Sequence, residues 1–306
     1  MAQFTIDPST EGFSRGLALY LANACDLAYS DEPEEAAQAL LGLDVKLFHY
    51  PASDTHGFVG RGDNFAVLAF RGSQSLNQHP KNWLANFEYL QSRDPLYPGF
   101  VHTGFSHALD SAWDAAGLIL RPALAAAQAV GADEPGLPLF VTGHSLGGAL
   151  ATLASCRLST ATLPAEGDQA AVPVNLRACY TFGAPRVGDP DFCKAYKAPT
   201  YRVVHDLDVV PQIPLRVHEI APFIPRLPSF TPSWLRNLVR KAEIAPPYDH
   251  VQTLYHLDAE GVLLKETDHS FWLSDYIERC LLSLGRSFDA PINDHMIDGY
   301  IKSLHG

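Results

Sequence analysis

A serine hydroxyl becomes a strong nucleophile only when a fold presents it to a base, and this chain has two serines in the spacing Gly-x-Ser-x-Gly that such presentation uses. Ser14 lies in Gly12-Phe13-Ser14-Arg15-Gly16, and Ser145 lies in Gly143-His144-Ser145-Leu146-Gly147. A nucleophile elbow needs a buried strand before the serine, a helix after it, and glycines that let the two pack closely. Leu139, Phe140 and Val141 read as that strand, and Ala149, Leu150, Ala151, Leu153 and Ala154 as that helix. Ser14 follows the turn-forming run Asp7-Pro8-Ser9-Thr10-Glu11-Gly12 and precedes an apolar helical run through Leu17, Tyr20, Leu21 and Ala24. It is expected to cap that helix, which leaves Ser145 as the nucleophile.

Such a serine needs a histidine base, and the base needs a carboxylate to fix its tautomer. In a strand-turn-helix setting the chain order is serine, acid, histidine. Twelve aspartates follow Ser145, and position has to choose among them. Groups just past the carboxyl ends of parallel strands are the best placed. Asp206 and Asp208 follow the strand-like run 201–205, whereas Asp189 and Asp191 lie in a loop after Gly183-Ala184-Pro185-Arg186-Val187-Gly188. Asp208 is preferred, with Asp206 next. The histidines beyond it are His218, His250, His256, His269, His295 and His305. His256 alternates within a predicted strand and His305 is terminal, so both read as structural or incidental.

The elements that must hold these groups alternate along the chain. Strand-like runs at 65–70, 137–142, 177–182 and 201–205 are separated by helical stretches at 105–130 and 146–159. That order predicts an α/β fold with a mostly parallel central sheet flanked by helices, in a single domain over 1–306. Runs 251–257 and 262–265 flank Asp258-Ala259-Glu260-Gly261 and read as an antiparallel hairpin. With 306 residues, 47% of them hydrophobic, the chain can bury a large core. Its net charge of -12 disfavours nucleic acid and anionic membranes as partners. The 5 cysteines form no CxxC pair, so neither a metal knuckle nor a disulfide framework is signalled. No secretory-signal pattern opens the chain, and its most apolar stretch, 115–132, is broken by Arg121 and Pro122 and is short for a membrane span.

Five segments in order give the pattern a name: Ala69-Phe70-Arg71-Gly72-Ser73, Val101-His102-Thr103-Gly104-Phe105, Gly143-His144-Ser145-Leu146-Gly147-Gly148, Phe182-Gly183-Ala184-Pro185-Arg186-Val187-Gly188-Asp189, and Arg202 through Pro211. Together they resemble the class 3, fungal triacylglycerol lipase-like, family of the α/β-hydrolase superfamily. The resemblance spans residues 69 to 211, roughly half of the chain. It implies that Asp208 is the triad acid and that Ser73 and Leu146 donate the oxyanion hydrogen bonds. It also favours His295, in Pro291-Ile292-Asn293-Asp294-His295-Met296, over His269 as the base, because the family's histidine precedes an apolar residue, a tyrosine and a short helix. A triacylglycerol lipase-like ester hydrolase working without metal or cofactor is therefore expected. Phospholipase A1 or short-chain carboxylesterase activity is the near alternative, and a non-enzymatic lipase-like interaction protein the distant one.

Two regions carry the expected substrate gating. Residues 73–94 fall where the family has a lid, and Trp83, Leu84, Phe87 and Leu90 are spaced to share one helical face. His144, beside the nucleophile, is grouped with Trp83, Leu84 and Phe87 as a lid or substrate contact. Residues 211–247 depart from the family pattern and hold 8 of the 23 prolines, with an excess of basic over acidic side chains among Phe223, Ile224, Leu227, Phe230, Trp234, Leu235 and Leu238. Such a segment reads either as a surface that docks on lipid or as a proline-stiffened connection.

Overall fold

The computed structural model describes residues 4–74, 87–125, 136–159, 162–163, 171–216, 221, 225, 231, 233–266 and 290–306. Ser14 caps α1 (Arg15–Leu27), its side chain accepting from Leu17 N at 3.3 Å, which is the helix-start role read for it in the sequence. After α2 (Glu34–Leu41), β1 (Asp44–Tyr50) and β2 (Thr55–Arg61) form an antiparallel hairpin, and β2 pairs antiparallel with β3 (Ala66–Phe70). The short strands β4 (Gln91–Arg93) and β5 (Phe100–His102) pair with each other and lead into α3 (Thr103–Ala125). Then come β6 (Pro138–His144), α4 (Leu146–Leu158), the short pair β7 (Thr162–Leu163) and β8 (Val172–Pro173), β9 (Asn175–Phe182), α5 (Pro190–Ala195) and β10 (Thr200–His205). The remainder contributes α6 (Ser233–Ala242), β11 (Thr253–Leu257), β12 (Leu263–Glu266), α7 (Ala290–Asn293) and α8 (Ile297–His305).

The main sheet runs β1-β2-β3-β6-β9-β10-β11-β12. Its centre, β3-β6-β9-β10-β11, is parallel, and both edges are antiparallel. Apolar residues on alternate positions feed the two faces. Leu68, Phe70, Leu139 and Val141 pack with α3 and α4, while Val67, Ala69, Phe140, Tyr180 and Phe182 pack with α1 and α8. Burial on both faces explains why β3 and β6 read as continuous apolar runs.

Several boundaries differ from the sequence reading. The hairpin β11–β12 is antiparallel as expected, but β11 also extends the parallel array beside β10. The helix expected from residue 105 begins at Thr103 and is described to Ala125; 126–130 lie outside the described residues. Residues 87–90, expected to continue a lid helix, are not helical and lead into β4. Their carbonyls are engaged elsewhere: Phe87 O accepts from Lys241 Nζ at 2.7 Å, Glu88 O from His102 Nε2 at 2.7 Å, and Leu90 O from Thr103 N and Tyr248 Oη, both at 2.9 Å. These partners take the place of the internal ladder a helix would need. Residues 75–86, with Trp83 and Leu84, lie outside the described set.

His102 itself predicts an acid response. It is buried, stacked on Phe105 with ring centroids 4.0 Å apart, and burial holds its pKa down to about 4 against an ordinary 6.5. The unfolded chain therefore takes up this proton at higher pH than the fold does, and stability falls as pH drops from 6.5 through 4, by an amount on the order of 3 kcal/mol for this residue. Denaturant unfolding measured between pH 7 and pH 4 should show that slope, and His102→Gln should flatten it; a variant with the wild-type slope would remove His102 as its source.

Candidate active site

The end of β6 turns sharply into α4 at Ser145, whose backbone sits at φ 57° and ψ -128°. Such a conformation is costly for a residue with a Cβ and is kept only where the surroundings fix it. Here Ser145 N donates to Phe182 O at 2.9 Å, tying the turn to the end of β9. Close packing of strand and helix demands the flanking glycines: a Cβ on Gly147 would lie 2.2 Å from Phe70 O. Leu146 opens α4, so its amide belongs to the first turn, whose N–H groups the helix cannot pair internally. Ser73 is half-buried in the loop after β3, two residues past the buried Arg71.

Asp208 lies beyond the end of β10 and is fully buried. Its carboxylate accepts from His295 Nδ1 at 2.9 and 2.8 Å, from Tyr300 Oη at 2.5 Å and from Val210 N at 2.9 Å. His295 sits between α7 and α8, also buried, and its Nδ1–H is committed to that carboxylate. Among the described residues, two atoms of this cluster are buried without a hydrogen-bond partner: Ser145 Oγ and His295 Nε2. They are the two atoms between which a serine–histidine proton transfer would run. Burial, together with the charge of Asp208, pushes the Tyr300 hydroxyl well above its ordinary pKa, so it stays a donor to that carboxylate.

Two further devices shape the cluster. Gly183 follows β9 at φ 59°, and a Cβ there would meet Asp208 Oδ2 at 2.6 Å and the His295 ring at 2.9 Å. Gly183→Ala should therefore lower both melting temperature and turnover, the strain alone amounting to roughly 1–3 kcal/mol; unchanged turnover in that variant would mean the His295–Asp208 pair tolerates displacement. Arg186 holds the segment after Asp208, donating through Nη1 to Gln212 O and Pro214 O, both at 2.8 Å.

His144 is not where the sequence reading put it. It is fully buried behind the elbow rather than at a lid or substrate surface, with Nδ1 2.7 Å from Tyr29 Oη and Nε2 2.7 Å from His295 O. A carbonyl can only accept, so Nε2 carries the proton and Nδ1 accepts from Tyr29. Burial, reinforced by nearby His295, keeps His144 neutral far below its ordinary pKa, which preserves the direction of this relay.

The other sequence candidates fall elsewhere. Asp206 N bonds Leu257 O, and Asp189 caps α5, accepting from Phe192 N at 2.8 Å. His256 Nε2 donates to Asp206 O at 3.1 Å and His250 Nε2 to Pro211 O at 2.7 Å, while His218 and His269 lie outside the described residues. Phe87 is buried against His102 and Phe105. Tyr29 was missed because nothing local marks it, whereas Tyr300 was implied only through the tyrosine that follows the family's histidine.

Residues 67–218 match the family model described as lipase (class 3). The chain is 35% identical over 152 residues to the secreted mono- and diacylglycerol lipase 1 of Fusarium solani, covering 48% of this chain and 39% of that protein. It is 34% identical over 167 residues to a lipase of Rhizomucor miehei, covering 53% of this chain and 41% of that one. Residues 67–218 are a class 3 lipase segment. The chain spans about two fifths of the length of the curated relatives it matches. Its fold is that of the α/β-hydrolases: the Rhizomucor miehei lipase in its propeptide complex aligns with a TM-score of 0.59 at 22% identity, covering 82% of this chain and 71% of that one. A lipase from Rhizopus microsporus var. chinensis aligns at 0.56 and 18% identity over 90% and 91% of the two chains.

Proposed function

We propose that this chain hydrolyses carboxylic esters of acylglycerols through an acyl-enzyme. Ser145 attacks the ester carbonyl, and His295 takes its proton and later returns it to the leaving alcohol. Asp208 holds the imidazole in the tautomer this requires and offsets the charge that develops on it. The amides of Leu146 and Ser73 stabilise the oxyanion, Leu146 from a helix N-terminus whose dipole favours negative charge. Water then repeats the sequence on the acyl-enzyme and releases the fatty acid. The observation that carries this reading is the strained, buried Ser145 whose unpartnered Oγ shares the cluster with the unpartnered Nε2 of an acid-bound histidine.

Comparing wild type and Ser145→Ala on p-nitrophenyl esters of increasing chain length tests it, since turnover independent of Ser145 on every ester would exclude the mechanism. A phospholipase A1 of Oryza sativa, 41% identical over 80 residues and 25% of this chain, supports phospholipid cleavage as the second reading. Fatty acid released from phosphatidylcholine vesicles as fast as from a triacylglycerol emulsion would favour it.

The same proposal treats 1–306 as one domain, 73–94 as the lid and 211–247 as the insertion that meets its far end. Support comes from the contacts of Leu215, Lys241 and Pro247 with residues 87–91. Deleting 223–235 should reduce activity on emulsions several-fold more than on soluble esters; equal losses would sink the gating role.

A further inference from the structure

Away from the proposed active site, the turn between β1 and β2 brings together side chains that its sequence spacing does not announce as a unit. His49 and His56 face each other across the antiparallel ladder, and their rings stack with centroids 3.7 Å apart and planes 27° apart. Asp54, at φ 49° just before β2, turns its carboxylate back so that Oδ1 lies 2.9 Å from His56 Nε2. One ligand atom from each of the three lies within 4.8 Å of the others.

We propose that this hairpin binds a zinc-type dication through His49, Asp54 and His56. Two imidazoles and one carboxylate form a donor set of borderline softness, which suits zinc and disfavours magnesium and calcium, whose sites are built from oxygen. Three protein ligands leave the fourth tetrahedral position for water. The stack already holds the two rings on one side of the hairpin, and the 2.9 Å separation of His56 Nε2 from Asp54 Oδ1 approaches that of two donors sharing one zinc at about 2 Å each. Little rearrangement is needed, because the stack and the Asp54–His56 contact already gather the three side chains, and His49 and Asp54 are exposed. Arg71 Nη2 lies 3.3 Å from the same Asp54 Oδ1, so an ion held between that oxygen and His56 Nε2 competes with this contact. The guanidinium opposes a cation, which makes this a weaker site than a closed structural one.

The test is a zinc titration of the whole chain by isothermal calorimetry, with magnesium as control, on wild type, His49→Ala and His56→Ala. Wild type should take up one zinc ion per chain, and each variant should bind at least about tenfold more weakly. Ester hydrolysis in zinc-free buffer and circular dichroism should match wild type for His49→Ala, whose side chain is exposed. Zinc bound equally well by both variants, magnesium bound as tightly as zinc, or no heat of binding in wild type would each overturn the proposal.

Discussion

Ser145→Ala should lower kcat on a soluble ester by about 10⁵-fold or more, the order seen when the nucleophile of a serine triad is removed. The same variant should not be less stable. Ser145 Oγ is buried without a partner among the described residues, and a buried hydroxyl left unmade costs about 1–3 kcal/mol, so its deletion relieves part of that. The strained φ of 57° is borne equally by alanine. Activity and stability are therefore expected to move in opposite directions, a signature that a general packing defect would not give. Initial rates on p-nitrophenyl butyrate, read beside thermal melting, check both halves. An alanine variant that loses activity and also melts well below wild type would instead assign Ser145 a structural role.

Asp208→Asn should be nearly as damaging, by on the order of 10⁴-fold in kcat. A carboxylate only accepts, and among the described residues Asp208 meets the donors His295 Nδ1, Tyr300 Oη and Val210 N. An amide presents two hydrogens of its own, so one must oppose a donor or the imidazole must change tautomer and point a proton at Ser145. With the group at 0% exposure, no water can relieve the conflict, and a loss of roughly 1–3 kcal/mol of stability should accompany the loss of rate. Tyr300→Phe separates the two effects, since it removes one donor while leaving the His295–Asp208 contact. It should cost far less activity than Asp208→Asn. Equal losses from the two variants would mean that packing around Asp208, rather than orientation of the base, limits turnover.

Much of this arrangement was legible because the elbow is a local device. A buried strand, a serine between glycines and a small-residue helix must be contiguous in sequence, and β6–Ser145–α4 is. The parallel centre of the sheet was readable for the same reason, since strands buried on both faces are continuously apolar. The pairing of Asp208 with His295 was legible through the place of Asp208 past β10 and through the resemblance around residues 291–300. The β1–β2 hairpin was not singled out, because β1 alternates imperfectly, with Leu47 and Tyr50 exposed beside buried Val45 and Phe48. His144 was misplaced for a different reason: adjacency to a nucleophile suggests contact with substrate, yet along a strand neighbouring side chains point to opposite faces. Its partner Tyr29 is 115 residues away, and no period or spacing reports such a contact.

The relay from Tyr29 through His144 to the His295 carbonyl also bears on how much chain the site requires. Both Tyr29 and His295 lie outside residues 67–218, the stretch matched by the family model. Tyr29 sits just past the end of α1 and His295 just ahead of α8, and these two helices are fastened to each other where Arg15 donates to Leu304 O at 3.0 Å and Ser303 O at 2.6 Å. A fragment trimmed to the recognisable stretch would keep Ser145 and Asp208 but lose both Tyr29 and His295, the two hydrogen-bond partners of His144. The smallest unit that holds the proposed machinery intact is thus closed by a clasp between α1 (Arg15–Leu27) and α8 (Ile297–His305), joining residues 288 and 289 positions apart.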